Sequence, residues 1–440
     1  MVQERQAHRT VSKPAHRVAA VALFAATLAQ GPAGGFVYDA ARYFDGSLAL
    51  FTGAGVVAEG DLGFRGVLTT AVYAPAALAE HLVTGAGRYA VLAENALLVA
   101  VVGAFLLPRI ARPRGTGGHP AAVWLCAALT WLVAARFAPF PLMDLPAAAA
   151  FLTAVWLARR EPARWTLPLA GLAAGVTLNL RPAYLLPLAA LGAVVAVTRR
   201  RPAVWFAAGL AAGSLPQMAF NALRGFAPGP VPPGTAGLAG FQAGYASYVV
   251  RYDTVTTGGA PQQFFCHPSM ASAVAGDPVD STGGLVRAVL GNLPESALFL
   301  VEKVAAALAW SWSTPYSTRA AAEHYDLAVP IVLIVVAGIG AACRTSGARP
   351  LAVLAAGTAG SLMTSATEAR FALPLILLAV AGCGLLVQGP RLQAGERHLS
   401  WYSVAAVLFA AAVLFAAAAA GLAHPLPPGA ATAATCAANR

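Results

Sequence analysis

Charge is scarce in this sequence. Only 11% of its 440 residues are Asp, Glu, Lys or Arg, against 58% hydrophobic. Soluble domains carry about a quarter charged residues, so an ordinary water-soluble protein is excluded, and a mean hydropathy of +0.66 agrees. Cysteine is also scarce. Cys126, Cys266, Cys343, Cys383 and Cys436 form no CxxC and no Cys/His spacing, which argues against a structural zinc site. Acidic residues are fewer than basic ones, 18 against 29, for a net charge of +11. What fills the chain instead is a series of long apolar runs.

Roughly 20 apolar residues cross a bilayer core. On that measure eleven spans are expected, at 18–36, 89–107, 120–136, 140–158, 165–180, 182–198, 203–222, 326–342, 350–366, 371–388 and 401–422. The first is short and follows a basic stretch, so a cleaved signal peptide is a rival reading of it; the many later spans favour an uncleaved helix. Lys and Arg collect in short cytoplasmic loops. Here Arg5, Arg9, Lys13 and Arg17 lie in the N-terminal tail. Arg109, Arg112 and Arg114, then Arg159, Arg160 and Arg164, then Arg199, Arg200 and Arg201, then Arg344 and Arg349, and finally Arg391 and Arg397 occupy every second loop. This predicts an all-α, multi-pass bundle in the inner (plasma) membrane, N-terminus cytoplasmic and C-terminus extracytoplasmic. The basic rim sets topology and meets anionic lipid; it is not a nucleic-acid footprint. Ser296–Trp312 is apolar but holds Glu302 and Lys303. Crossing there would invert all later loops, so it is expected to lie at the outer surface or re-enter it, with Trp310 and Trp312 at the interface.

The expected organisation is a basic tail (1–17), a transmembrane core (18–222) containing a first outer loop (35–88), a large outer loop (223–325), C-terminal transmembrane helices (326–422) and an outer tail (423–440). Both long loops are outside, and short interfacial helices are expected in them. Long ordered loops usually carry function. The second opens with Pro228, Pro230, Pro232 and Pro233, then carries Phe241, Tyr245, Tyr248, Tyr252, Phe264 and Phe265, which either stack on sugar or fill a small outer core, the latter favoured.

The few outer charges fall in short motifs. In Tyr38-Asp39-Ala40-Ala41-Arg42-Tyr43 a helix would put Asp39, Arg42 and Tyr43 on one face. A carboxylate at the water–membrane boundary can take a hydroxyl proton; the plainer reading is a helix cap. Asp144, in Phe140-Pro141-Leu142-Met143-Asp144-Leu145-Pro146, suits a helix N-terminus electrostatically, or serves a site. Arg181, in Asn179-Leu180-Arg181-Pro182-Ala183-Tyr184, either binds phosphate or snorkels to headgroups. In Thr367-Glu368-Ala369-Arg370-Phe371, Glu368 and Arg370 pair with each other or Arg370 binds phosphate. Asp61 and Arg65 share Gly60-Asp61-Leu62-Gly63-Phe64-Arg65-Gly66, near Asp45 and Glu59, and Glu94 with Asn95 lies inside the second span. An embedded carboxylate is costly and usually faces a cavity. His267 is a weak candidate for acceptor or metal contact, a lone loop histidine being more often a surface residue.

In order and placement these motifs (YDAARY, PLMDLP, GLAAGVTLNLRPAYLL, TEARFALPL) resemble the C-type membrane glycosyltransferases, the bacterial relatives of protein O-mannosyltransferases and aminoarabinose transferases, over residues 18–390. The resemblance implies a polyprenyl-phosphate sugar donor, inversion at the anomeric carbon, and a lipid-linked glycan or protein acceptor outside the cytoplasm. It implies Asp39 as catalytic base and Arg181 and Arg370 on the donor phosphate. Asp144 matches the second acidic position, and Arg42, Tyr43, Asp61, Arg65, Glu94 and Glu368 are the remaining candidate substrate contacts. Ala40 departs from the Asp-Glu of many relatives. No tight Asp-x-Asp occurs, so no cofactor or divalent metal is expected. No soluble acceptor-binding domain follows the eleventh span, which favours lipid-linked or small acceptors. The rival classes are a flippase or transporter of lipid-linked sugars, which would call for internal repeats not seen here, and a noncatalytic envelope-assembly protein. Cys266 and Cys436 both fall outside, so a disulfide is open to them, although the small-residue tail carrying Cys436 is expected to be disordered.

Overall fold

The structure is a computed structural model and describes residues 2–52, 65–112, 119–160, 164–200, 202–233, 244–251, 264–276, 282–309, 316, 327–345, 348–388, 401–423, 425–426 and 436–437. It is predominantly helical. A helix occupies each of the eleven apolar segments: α1 (Val2–Leu28), α5 (Gly87–Ala111), α6 (Pro120–Phe137), α7 (Asp144–Arg159), α8 (Thr166–Leu180), α9 (Pro182–Arg199), α10 (Ala203–Leu223), α14 (Ala328–Arg344), α15 (Arg349–Ser361), α16 (Ala369–Gln388) and α17 (Trp401–Gly421). Among the described residues, six helices are long and apolar enough by themselves to cross a membrane: α5, α6, α9, α10, and most of α16 and α17. Pro14–Leu28 of α1, α8 and α14 are apolar but shorter. The protein is therefore a multi-pass helical membrane protein.

Several boundaries differ from expectation, for local reasons. The first span stops at Leu28, not at 36, because the chain turns at Gly31, which has φ 76°, followed by Pro32. At its other end α1 runs back to Val2, so the expected separate tail is part of the same helix. The two long segments between apolar helices do hold short helices: α2 (Tyr38–Thr52), α3 (Thr69–Val72) and α4 (Ala74–Leu82) in the first, and α11 (Pro268–Gly276), α12 (Thr282–Gly291) and α13 (Leu293–Ala309) in the second. The second also holds the strands β1 (Tyr248–Arg251) and β2 (Phe264–Cys266), which form an unexpected antiparallel sheet with β3 (Pro425–Leu426) of the C-terminal tail, β2 in the middle. The aromatic and β-branched residues of YVVR and FFC suit a pleated, half-buried surface.

The described chain forms two compact units. The first comprises residues 1–233, 337–357 and 373–399. In it α8 crosses α10 at backbone contact. A Cβ on Gly171 or Gly175 would overlap backbone of α10 at Phe206, Leu210 and Gly213, and one on Gly209 or Gly213 would overlap α8 at Pro168 and Leu172. Such small-residue faces let membrane helices approach to backbone contact, where apolar burial offers no drive.

The second unit comprises 234–336, 358–372 and 400–440. Its core joins Val249, Met270, Phe299 and Ala306, with Phe265, Met363 and Leu422 against them. Tyr245 and Tyr248 are buried here, so for them the packing reading holds; Phe241 and Tyr252 lie outside the described residues. Cys266 and Cys436 form a disulfide, and Cys436 is 0% exposed in a cluster with Tyr248 and Ala271. The expectation of a disordered tail is thus corrected at Cys436: the bond and the β3 pairing hold it to the sheet. α12 and α13 meet at 102°, a broken span or a re-entrant hairpin. Glu302 and Lys303 are buried within α13. Trp310 and Trp312 lie outside the described residues.

Candidate functional site

The first motif folds as its spacing predicts. In α2, Asp39 and Tyr43 stand one helical turn apart and share a face. Arg65 closes over both: its Nη2 donates to Asp39 Oδ1 at 2.7 Å, and its guanidinium lies 4.9 Å from the Tyr43 ring centroid. The Asp39 side chain remains 33% exposed, so the carboxylate is held without being sealed. Arg42 lies on an exposed flank of the helix. Tyr38, just before, has a positive φ of 47°, a conformation costly for a bulky residue. Asp61 and Glu59 lie outside the described residues.

In the same unit, Asp144 opens α7 and is 3% exposed. The helix-dipole reading is therefore only part of its role. Its Oδ1 accepts from Nη1 of Arg181, the residue that ends α8. Arg181 is largely buried by that pairing, which removes the snorkelling reading. Nearby polar groups tie the ends of several helices together. The Tyr73 hydroxyl bonds Asn95 Oδ1 at 3.1 Å and Leu142 O at 2.8 Å, and Asn95 Nδ2 donates to Ala138 O and Phe140 O, each at 2.9 Å. Burial pushes the Tyr73 phenol well above its ordinary pKa, so it stays a neutral donor. Glu94 lies beside Asn95, and its Oε1 is buried with no hydrogen-bond partner.

Glu368 and Arg370 belong to the second unit and pair with each other, Arg370 Nε to Glu368 Oε2 at 2.8 Å. The Arg370 guanidinium lies 4.7 Å from the ring centroids of both Tyr316 and Phe371. His267 is not a surface residue. It is buried, its Nδ1 accepts the Met270 N–H at 3.2 Å, and its Nε2 faces Glu302 Oε2 at 3.7 Å. Among the described residues no three His, Cys, Asp or Glu side chains form a group able to hold a metal ion.

Some functional candidates escaped the sequence reading. Lys303 served there only to argue against a crossing. It is 1% exposed, its Nζ donates to the carbonyls of Tyr245 and Met363, and it lies over the Phe299 ring at 5.2 Å. Arg136, at the end of α6, is also buried. Most consequential are three buried amides, Asn179, Gln217 and Asn221. Their signal is present in the sequence as a spacing of four: Gly171, Gly175, Asn179 on α8 and Gly209, Gly213, Gln217, Asn221 on α10. Comparison with family models, with curated proteins and with solved structures yields no match.

Proposed function

We propose that the chain is an inverting glycosyltransferase of the membrane, moving a sugar from a polyprenyl-phosphate carrier to an extracytoplasmic hydroxyl. The observation that carries the reading is the arrangement at Asp39: a partly open carboxylate, fixed by a guanidinium that is itself stacked on Tyr43. In the proposed step the acceptor oxygen attacks the anomeric carbon from the face opposite the phosphate. Its proton passes to the Asp39 carboxylate. The bond between anomeric carbon and phosphate oxygen breaks, and polyprenyl phosphate leaves with the electron pair. Arg181 neutralises that developing charge in the first unit, oriented by Asp144. In the second unit Arg370 is held by Glu368 and two aromatic rings.

In this reading all eleven apolar helices cross, with the N-terminus inside and the C-terminus outside. The disulfide supports the count. From Cys266 to Cys436 the chain passes through α14, α15, α16 and α17, and four crossings return it to the starting side. A further crossing by α12 and α13 would put the two cysteines on opposite faces. The bent pair is therefore read as re-entrant from the outer side. An oxidised pair also belongs outside the cytoplasm.

The test is purified protein in lipid nanodiscs given a panel of polyprenyl-phosphate sugars, with release of polyprenyl phosphate followed. Release from at least one donor is expected, with Asp39→Asn lowering it by at least about 10³-fold while expression stays normal. Full activity in Asp39→Asn, or no release from any donor, overturns the assignment.

A further inference from the structure

Asn179 and Gln217 are fully buried between apolar helices, where an unbonded amide is costly. They arrive there because each continues a glycine face by one turn, Gly175 to Asn179 and Gly213 to Gln217. Backbone contact at the glycines brings the amides into bonding range. Asn179 Nδ2 donates to Gln217 Oε1 at 3.4 Å, and Gln217 Nε2 to Asn221 Oδ1 at 2.7 Å. The acceptors of the ladder turn to a short non-helical run from the first outer segment. Val67 N–H donates to Gln217 Oε1 and Leu68 N–H to Asn179 Oδ1, both at 2.9 Å. Gly66 sits directly on α8, where a Cβ would overlap the carbonyl oxygen and side chain of Asn179. The residue before that clamp is Arg65, whose guanidinium holds Asp39.

We infer that Asn179, Gln217 and Gly66 are positioning residues that set Arg65 against Asp39, a claim that rests on the reading of Asp39 as the base. None of the three bonds the carboxylate. They fix the backbone of residues 66–68, and so fix the point from which the Arg65 side chain reaches across to α2. Asn221 extends the ladder outward, donating to Gly229 O at 3.0 Å and Val231 O at 2.9 Å.

Two readouts test this, one of them independent of turnover. In Gln217→Leu, amide hydrogen exchange in the peptide spanning residues 65–70 speeds up by about fivefold, the loss of one net hydrogen bond. Donor turnover in the same variant falls about 10²-fold, as expected for a misplaced catalytic group, while the donor KM moves less than about twofold. Because the effect runs through Arg65, Gln217→Leu in an Arg65→Gln background changes kcat by less than about threefold. Gly66→Ala leaves both helices intact and gives the same pattern, which keeps the test open if Gln217→Leu does not fold. Unchanged exchange overturns the inference, and so does an undiminished kcat loss in the Arg65→Gln background, which would make Gln217 a packing residue only. If the parent protein transfers no sugar, it is the reading of Asp39 that fails. The positioning claim is then decided by a short bis-methanethiosulfonate cross-link in Asp39→Cys/Arg65→Cys. Loss of that cross-link on adding Gln217→Leu supports the claim; equal yield overturns it.

Discussion

Removing the disulfide by Cys436→Ser separates the tail from the sheet by a calculable amount. The two cysteines are 170 residues apart. A chain-entropy treatment of a loop that long gives about 5 kcal/mol. That figure assumes an unfolded loop free in solution, whereas inserted helices persist in a bilayer. For local opening of the tail alone, the chain released runs from Gly421 to Cys436, and for a loop of roughly 15 residues the contribution is about 3 kcal/mol. In the variant β3 and the Cys436 turn should open about 10²-fold more often. The assay is limited proteolysis in nanodiscs, with cleavage beyond Gly421 quantified by mass spectrometry. Thiol counting on whole cells accompanies it. Trapping with maleimide in denaturant should modify Cys126, Cys343 and Cys383 directly, and Cys266 with Cys436 only after reduction. Cleavage rates within about threefold of the parent would refute the energetic argument. Modification of all five cysteines without reduction would refute both the bond and the parity argument built on it.

Three further outcomes are expected. Gly175→Leu forces α8 and α10 apart at backbone contact and should cost at least about 3 kcal/mol, read as loss of monodisperse protein on detergent extraction; wild-type extraction would mean the crossing is not tight. Lys303→Ala strips a charged donor from two carbonyls and a stem from the second unit's core. It should destabilise by roughly 3 kcal/mol, and Lys303→Met, which keeps the stem, by about half that; equal Tm losses would show that the stem contributes nothing. Burial pushes the Glu302 carboxyl above its ordinary value, so the folded parent binds the extra proton and loses stability as pH rises through the raised value. The Tm of Glu302→Gln relative to the parent should therefore climb as pH rises from the ordinary carboxylate range through the raised value, and a difference that shrinks with pH contradicts the sign.

What the sequence made legible was the part that composition and spacing control. Apolar length alone located all the long helices, and helical spacing alone put Asp39 and Tyr43 on one face. It did not show that Arg65, 26 residues on, would be the group to meet them, because that depends on where a loop is clamped. The clamp is a tertiary property: Gln217 is 150 positions from the Val67 N–H it accepts. Cys436 was misjudged for a related reason. A small-residue tail has no local drive to order, and only partners far off in the chain, β2 and Cys266, supply one. The motifs suggest a carboxylate partner only for Arg370, in Glu368, yet Arg65, Arg181 and Arg370 each hold a carboxylate already. That follows from the scarcity of charge in the sequence. Where a bilayer makes every buried charge expensive, a cation at a membrane end is retained beside an anion, and a substrate phosphate has to compete for a guanidinium that is already oriented. In the proposed reaction the reactive groups of the first unit are ordered before the donor arrives, and affinity for polyprenyl phosphate is set by how much of the Arg181 guanidinium Asp144 leaves available. Asp144→Asn should for that reason tighten product binding at Arg181 while slowing release. A variant with weaker polyprenyl-phosphate inhibition than the parent would remove Arg181 from the phosphate's path.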